Sequence, residues 1–518
     1  MTNKKNFDNS FIIDDPDFSI ENFIKGLQNK FSFILETPIK TIQLYLDTFD
    51  WRLYNKGLVF VKAPGGYKLK DINEVKILSS IPLKTKKNIK NWQDFPKSTL
   101  KNQLKTALDI RALIPWINVE KHTQSLRILN KDDKTVLKLQ LQKIYLIQGK
   151  SKTFIHHTIT LQPVRGYKTE LKDIRKYLKE LGLSNLTTNI FSLGLEKIGE
   201  VPGKYTSKIK VVLNPQMSAQ EAGVVIFKNL LSTMRINEEG IKKDIDIEFL
   251  HDFRVAIRRT RSALSQIKDI FPKEETDKFK KDFSKLGKIS NKLRDLDVYL
   301  LTREKYKKML AEDLHEGLDL IFNIVEAERN KEQRRVVKAL NSSEYHKILK
   351  SWEDYLNSEK EKALNSEKPI YELAKEFIWK KYKKIIKTGS KIDDNTPDEE
   401  LHSLRIECKK LRYLLEFFTS LFPEDEISFI VKHFKKLQDN LGDFNDLCIQ
   451  QESLKNMVKE FKVKEEDILK ISMSIGGLIS VLNQKQNEVR KDFEKSFNEI
   501  SNKEYVKIFN KLFSPNQS

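Results

Sequence analysis

Two segments of the chain combine a histidine with regularly spaced arginines and lysines. They read LHDFRVAIRRTRSAL from residue 250 and LHSLRIECKKLRYLL from residue 401. On an α-helix, side chains at steps of three, four and three fall within an arc of about 80°. The residues at this spacing are His251, Arg254, Arg258 and Arg261 in the first segment, and His402, Arg405, Lys409 and Arg412 in the second. Because arginine binds phosphate oxygens in pairs and lysine adds a mobile point charge, both arcs predict a surface for anions.

Other basic residues accompany the two arcs. Arg259 and Lys410 lie at matching positions of the two segments, so their charge is kept although their identity is not. Lys285, Lys288 and Lys436 belong to lysine rows in the helices that follow. A solvated outer surface explains such lysine rows equally well. The arcs themselves contain no acidic residue and border an apolar face, and this favours a binding role for them.

The arcs also lack the aromatic residues on which single-stranded nucleic acids stack their bases. Phe253, Tyr413 and Phe417 fall beside the arcs or on their apolar side. A polymer of phosphates without bases requires cations alone. We therefore expect a phosphate polymer as the partner, with nucleic acid as a less favoured alternative. The pattern predicts no catalytic residue, no metal site and no cofactor.

The composition agrees with an anionic partner. The 518 residues carry 94 Lys and Arg against 73 Asp and Glu, which gives a formal net charge of +21. Two cysteines, Cys408 and Cys448, are too few for a disulfide framework and indicate a reducing compartment. Neither a membrane-spanning apolar run nor a signal-peptide pattern is found. We expect no membrane contact and a cytoplasmic location; the sequence predicts no oligomeric state.

Two structural regions are predicted around the arcs. Short β-branched and aromatic runs in the first 200 residues, for example 41–49, 57–72, 135–147 and 153–164, are typical of an antiparallel sheet with a few helices. From about Pro215 the apolar spacing becomes helical. This helical region is duplicated, because 14 of the 47 residues in 250–296 are identical to those in 401–447 without a gap. We predict an α+β domain over 1–205 and an all-α domain over 211–518. Its halves, about 211–365 and 366–518, are expected to be helical bundles related by a pseudo-twofold axis.

The duplicated segments resemble the CHAD family, the conserved-histidine α-helical domain. The histidine-headed segments carry the resemblance, together with KLRDLDV at 292–298 and LGDFNDL at 441–447. Asn291 departs from the motif, which has glycine at the position of Gly442. The resemblance implies paired helical bundles that bind inorganic polyphosphate between the halves, through the basic residues named above. It also implies polyphosphate granules as one place of association.

The N-terminal region resembles a degenerate CYTH domain, whose fold is an antiparallel tunnel-like β-barrel. The segments IQLYLDTFDWRLYNKGLVFVK and LQPVRGYKTELKDIRKYLKELGL carry this resemblance. The E-x-E-x-K motif and the late metal-binding acids of that family are absent, so we expect a module that is not an enzyme. Without these acids the region can still bind anions through Lys62, Lys68, Lys70, Lys121 and Arg127. The alternative is a metal-dependent triphosphatase or polyphosphatase that acts through this region.

Overall fold

The computed structural model describes residues 9–13, 15–72, 76–83, 89–460 and 465–515. The chain divides into two compact units, with the division between Thr206 and Ser207. The first unit is built on an antiparallel sheet, and the second is helical. Within the ranges just given, no helix combines the length and the apolar character that crossing a membrane requires.

Ten strands form the sheet in the described residues of the first unit. They are β1 (Ser10–Ile13), β2 (Phe33–Leu35), β3 (Ile39–Asp47), β4 (Leu58–Ala63), β5 (Gly66–Asp71), β6 (Ile77–Ile81), β7 (Ile114–Leu129), β8 (Thr135–Gln148), β9 (Ser151–Pro163) and β10 (Ser184–Asn185). Their order is β10-β1-β9-β8-β7-β3-β4-β5-β6, with β2 paired to β7.

The prediction of a closed, tunnel-like barrel is wrong, because the sheet is open. In the described part of the chain, the outermost strands β10 and β6 do not pair with each other. These two strands have two and five residues, whereas β7, β8 and β9 have 16, 14 and 13. Closure requires edge strands that pair with a consistent stagger, and edges this short offer few residues for it. The identity of this unit as a degenerate CYTH domain stays a prediction.

The described residues that pack on this sheet include four α-helices: α1 (Ile20–Gln28), α2 (Thr99–Leu108), α3 (Lys168–Glu180) and α4 (Ile190–Lys197). Ser19 caps α1 by accepting a hydrogen bond from the backbone N–H of Asn22, as its position in the sequence predicts. The cores beneath α1 and α3, beneath α2 and beneath α4 are separate clusters of buried apolar side chains. The sheet therefore has covered areas and areas left open between them.

The second unit consists of twelve helices in its described residues. They are α5 (Ala219–Lys242), α6 (Ile247–Gln266), α7 (Lys273–Ile289), α8 (Asn291–Lys307), α9 (His315–Leu340), α10 (Ser343–Asn357), α11 (Ile370–Gly389), α12 (Asp398–Phe418), α13 (Glu424–Glu460), α14 (Glu465–Lys491), α15 (Phe493–Ser501) and α16 (Lys503–Phe513). The histidine-headed segments form α6 and α12, as their spacing predicts.

The two repeats pack against each other. Helices α8 and α9 of the first repeat share one apolar core with α13 and α14 of the second. The hydroxyl of Tyr299 donates to the backbone carbonyl of Gln450 at 3.1 Å, and these residues occupy matching positions 151 residues apart. Helices α6 and α12 are also in contact. The packing of the repeats thus brings the two histidine-headed helices together.

Candidate polyanion-binding site

Apolar burial orients the two histidine-headed helices. Leu250, Phe253, Ile257 and Leu264 of α6 are all 3% exposed or less, and they form the predicted apolar arc. The side chain of Asp246 caps α6 by accepting from the backbone N–H of Glu248 at 3.0 Å. With the apolar arc fixed in the core, the neighbouring basic arc is held at the edge of the core.

Helix α12 starts differently from the sequence prediction. Its sequence predicts a capping box, in which Thr396 is the N-cap and the side chain of Glu399 accepts a hydrogen bond from the backbone N–H of Thr396. In the structure the helix begins at Asp398, Pro397 takes the cap position, and no side chain caps the helix. The Thr396 hydroxyl instead donates to the carboxylate of Asp393 at 2.9 Å. The predicted capping box is therefore wrong, although the helix itself is confirmed.

An arginine in each repeat holds the chain that leads into the histidine-headed helix. Arg329 of α9 pairs with Asp244, just before α6, and its Nε donates to Asp297 at 2.8 Å. Arg490 of α14 pairs with Asp398 and donates to the carbonyl groups of Thr396 and Asp394. These contacts fix the starts of α6 and α12, and with them the positions of the basic arcs.

The charges of the two arcs act on one another. Burial, followed by the charges of Arg405 and Arg258, lowers the pKa of Lys409 to about 8. Burial also lowers the pKa of Arg405; Asp446 opposes this shift, and Arg258 adds to it. In the first repeat, burial and then Arg258 lower the pKa of Arg254 to about 10. Arg258 therefore lies close to cations of its own repeat and of the other.

Three cations of the arcs have neither an acidic partner nor a side-chain hydrogen bond among the described residues. In the ranges that the structure describes, no carboxylate lies within 4.0 Å of the charged nitrogens of Arg258, Arg261 or Lys409. Arg258 and Arg261 are exposed, and Lys409 is half-buried. Their charges are therefore available to a ligand.

The remaining arginines of the arcs are held by hydrogen bonds or by ion pairs. Arg254 donates to the hydroxyl of Ser290 at 3.0 Å and to the side-chain oxygen of Asn291 at 2.9 Å. Asn291, the departure from the family motif, thus positions an arginine. Arg405 pairs with Asp446 at 3.2 Å, and Arg412 pairs with Glu416 at 3.3 Å. Each of these two arginines is only partly neutralised, because the single carboxylate faces several cations.

The histidines lie near the start of each arc. His251 is half-buried and His402 is exposed. Nδ1 of His402 lies 2.6 Å from the side-chain oxygen of Asn445, so Nδ1 carries the hydrogen and donates it. This contact fixes the orientation of the His402 ring and leaves Nε2 on the side of the ring that faces away from Asn445.

Several predicted site residues have carboxylate partners in the structure. Arg259 pairs with Glu416, Lys410 with Glu407 at 2.9 Å, Lys436 with Glu499 at 2.7 Å, and Lys285 with Asp282 at 3.7 Å and Glu344 at 4.0 Å. Lys288 is exposed, and no carboxylate of the described residues lies within 4.0 Å of its nitrogen. Four of the five accompanying basic residues are therefore paired with carboxylates in the described part of the chain.

The sequence prediction missed Arg294. It is half-buried on α8, 3.9 Å from Glu248, and its pKa is lowered by burial, with a further contribution from Arg258. The matching residue of the second repeat is Asn445. A search for charges kept in both repeats cannot find a cation that one repeat alone carries. Its place inside KLRDLDV was the available signal.

The basic residues considered in the first unit do not converge. Strand register places Lys62 on one face of the sheet and Lys68, Lys70, Lys121 and Arg127 on the other. Lys121 is 5% exposed, with its nitrogen 5.9 Å from the ring centre of Tyr45, and Arg127 pairs with Glu36 at 3.4 Å. Within the described residues, no group of three or more histidine, cysteine or acidic side chains is arranged to hold a metal ion.

Comparisons with known proteins identify relatives, similar solved structures and a matching family model. Two uncharacterized proteins of Mycobacterium tuberculosis are each 28% identical over 211 residues, which cover 40% of this chain and 39% of theirs. The crystal structure of the CHAD domain from the plant Ricinus communis is 20% identical, with a TM-score of 0.47, and covers 56% of this chain and 95% of its own. PptA from Streptomyces chartreusis is 11% identical, with a TM-score of 0.41, over 54% of this chain and 99% of its own. The family model of the CHAD domain matches residues 225–455, and this part of the chain is therefore a CHAD domain.

Proposed function

We propose that the helical unit binds inorganic polyphosphate along the two basic arcs and does not catalyse a reaction. CHAD domains are associated with polyphosphate binding in general. We name the proposed contact residues the seam cations: Arg254, Arg258, Arg261, Arg405, Lys409 and Arg412. His251 and His402 are proposed to contribute at the start of each arc.

The observation that carries the proposal is the contact between α6 and α12, which brings the charge of Arg258 near cations of both repeats. This charge acts on Arg254 in α6 and on Arg405 and Lys409 in α12. Like charges held this close repel each other, and the repulsion is relieved when an anion lies between them. A polyanion that contacts both arcs supplies this counter-charge.

The surroundings of the seam cations favour phosphates without bases. Phe253, Tyr413 and Phe417, the aromatic residues of the two helices closest to the arcs, are 2%, 6% and 0% exposed. Buried rings offer no stacking surface to a nucleic-acid base. Arginines that present several donors suit the oxygens of a phosphate chain.

The extent of the arcs favours a long ligand. From Arg254 to Arg261, and from Arg405 to Arg412, each arc extends about 10 Å along its helix. A single orthophosphate reaches one part of one arc, whereas a chain can engage both. We expect orthophosphate and short chains to bind much more weakly than long polyphosphate.

Charge reversal at the seam tests this function. Arg258→Glu/Lys409→Glu is compared with Lys338→Glu/Lys347→Glu, which changes the net charge equally at two exposed lysines of α9 and α10. Calorimetric titration with long polyphosphate should show that the first variant loses affinity at least about tenfold, whereas the affinity of the second variant should change little. If the two variants lost the same affinity for polyphosphate, binding would depend on the net charge of the protein and not on the seam cations, which would contradict the proposed site.

Two further measurements address the alternatives. Displacement of seam-bound polyphosphate by equal charge concentrations of single-stranded RNA would make nucleic acid the better ligand. Release of orthophosphate from polyphosphate with magnesium or manganese, abolished by a chelator, would make the protein an enzyme. We expect neither result.

A further inference from the structure

One face of the sheet in the first unit carries an ordered grid of side chains on β3, β7, β8 and β9. Cross-strand register places four residues in each of three rows. The rows are Lys40, His122, Lys143 and His157; Ile42, Glu120, Tyr145 and Phe154; and Leu44, Asn118, Ile147 and Lys152. We call these twelve residues the sheet grid. Its dimensions are about 14 Å across the strands and about 14 Å along them.

The sheet grid is open to solvent at several points. The side chains of Lys40, His122 and Lys152 are 56%, 45% and 46% exposed, and Ile42 is 48% exposed. Elsewhere on the same face, helices α1 and α3 cover one apolar core and α2 covers another. The sheet grid lies between these covered areas. Ile42 belongs to neither apolar core, so core packing does not explain its apolar side chain at this exposed position.

The charges of the sheet grid are arranged around one buried carboxylate. Glu120, 2% exposed, lies 3.2 Å from Lys40, 2.8 Å from Lys152 and 2.7 Å from His122. Lys143 has no carboxylate within 4.0 Å in the described part of the chain. Three lysines against one carboxylate leave a positive surface, and Glu120 holds two of these lysines in place.

Two aromatic rings lie at the centre of this positive surface. Tyr145 and Phe154 are cross-strand neighbours, with ring centres 6.1 Å apart, and both are half-buried. The nitrogen of Lys143 lies 5.7 Å and 5.8 Å from the two ring centres. The seam cations lack this combination of solvent-accessible rings and lysines.

We propose that the sheet grid binds single-stranded nucleic acid, with bases stacked on Tyr145 and Phe154 and phosphates held by Lys40, Lys143 and Lys152. Rings on an open sheet surface stack bases of any sequence, and adjacent lysines follow the backbone. Lys143 leaves the rings when it pairs with a phosphate, and Ile42 adds apolar contact for a base or sugar. The area accommodates about two or three nucleotides. This site is separate from the proposed polyphosphate site in its residues and in its ligand.

The experiment uses the full chain with Arg258→Glu/Lys409→Glu, so that the contribution of the seam cations to binding is reduced and is the same in every variant compared. Fluorescence anisotropy measures its affinity for a short fluorescein-labelled oligouridylate. Adding Tyr145→Leu/Phe154→Leu keeps apolar volume but removes the rings, and it should weaken binding at least about tenfold. Tyr145→Phe/Phe154→Tyr keeps both rings and should retain affinity. Tyr167→Leu, at a half-buried tyrosine beside α3, is the matched control and should change little.

Thermal unfolding of each variant separates lost contacts from lost folding. Failure of the leucine variant to fold leaves Lys143→Ala as the test, compared with Lys176→Ala on α3, whose side chain is 79% exposed. Undamaged binding after loss of the rings or of Lys143 would overturn the proposal. Equal affinity for uridine monophosphate and for the oligomer would also overturn it, because a mononucleotide site needs no grid. A dimer of the parent chain that dissociates in the leucine variant would make the grid a contact between copies instead.

Discussion

The guanidinium of Arg259 donates two hydrogen bonds to one carboxylate oxygen of Glu416, at 3.1 Å from Nε and 2.7 Å from Nη2. Arg259 belongs to α6 and Glu416 to α12, so this ion pair joins the two repeats. Nη1 of Arg259 also donates to the carbonyl of Ser207 at 2.7 Å. Arg259 is 9% exposed, whereas its neighbour Arg258 is exposed and has no carboxylate within 4.0 Å among the described residues. Adjacent arginines thus have different surroundings.

Substitution of Arg259 should change the stability of the protein, whereas substitution of Arg258 should change its affinity for polyphosphate. Arg259→Met should lower the free energy of unfolding by about 2–4 kcal/mol, because Arg412 is then the one partner that Glu416 keeps among the described residues. Its affinity for polyphosphate should change less than about threefold. Arg258→Met should weaken polyphosphate binding about tenfold without loss of stability. Chemical denaturation and calorimetric titration measure the two quantities.

The double variant Arg259→Met/Glu416→Met is the control for this comparison. Removing both charges eliminates the carboxylate that has lost Arg259, so the stability should return close to that of the parent. If Arg259→Met remained stable but lost as much affinity as Arg258→Met, Arg259 would belong to the binding surface, as its sequence position first suggested.

The affinity for polyphosphate should depend on pH between 7 and 9 through Lys409. Its pKa is about 8 in the free protein, and a bound polyanion favours the charged ammonium and raises this pKa. Affinity should therefore be nearly constant below pH 7 and fall as the pH rises through 8, with proton uptake on binding near pH 8.5. Calorimetry in buffers of different ionisation enthalpy measures this uptake.

Lys409→Arg provides the matched control for the pH dependence. Arginine keeps the charge at all these pH values, so the fall in affinity above pH 8 should be reduced. An identical pH profile in this variant would assign the proton to another group.

Lys409 should also lower the stability of the protein without ligand. Its pKa is about 8 in the folded chain against a usual 10.5, so the unfolded chain binds more protons between these values. The free energy of unfolding should therefore rise with pH over this window. Below pH 8 the charged Lys409 has its full destabilising effect. Lys409→Met should raise the free energy of unfolding at pH 7 by roughly 1–3 kcal/mol. Thermal unfolding at pH 7 and pH 10 measures the difference, and no gain at pH 7 would contradict it.

The sequence predicts the helical unit well because its information is local. Steps of three and four place Leu250 and Ile257 on one side of a helix and Arg254 and Arg258 beside them, and burial confirms this division. The different surroundings of Arg258 and Arg259 are not local. They depend on Glu416, which approaches from the other repeat and which no spacing within α6 reveals.

The sheet was harder to predict. Strand β7 is the longest, yet its sequence, IPWINVEKHTQSLRIL, places Glu120, Lys121 and His122 at its centre and shows no regular alternation of apolar and polar residues. Glu120 is tolerated because Lys40 and Lys152 approach it from β3 and β9, and Lys121 because its nitrogen lies over Tyr45. Such pairing partners become visible when strand register is known. The same limit explains why an open sheet replaced the expected barrel.

The two arginines that hold the starts of α6 and α12 should differ in their contribution to stability. Asp297, a partner of Arg329, is 1% exposed, and burial raises its pKa. Arg329→Met should therefore cost about 3–5 kcal/mol at pH 7, because a buried carboxylate loses its counter-charge. The side chain of Asp398, the partner of Arg490, is 47% exposed, so Arg490→Met should cost about 1 kcal/mol.

Acid distinguishes this cause from a simple loss of packing. The folded form of Arg329→Met binds a proton at Asp297 more readily than the unfolded chain does, so lower pH favours folding at this site. The deficit of Arg329→Met relative to the parent should shrink between pH 7 and pH 5, whereas that of Arg490→Met should stay constant. Parallel stability curves for the two variants, measured by urea denaturation at both pH values, would show that the buried charge of Asp297 is not the reason Arg329 is needed.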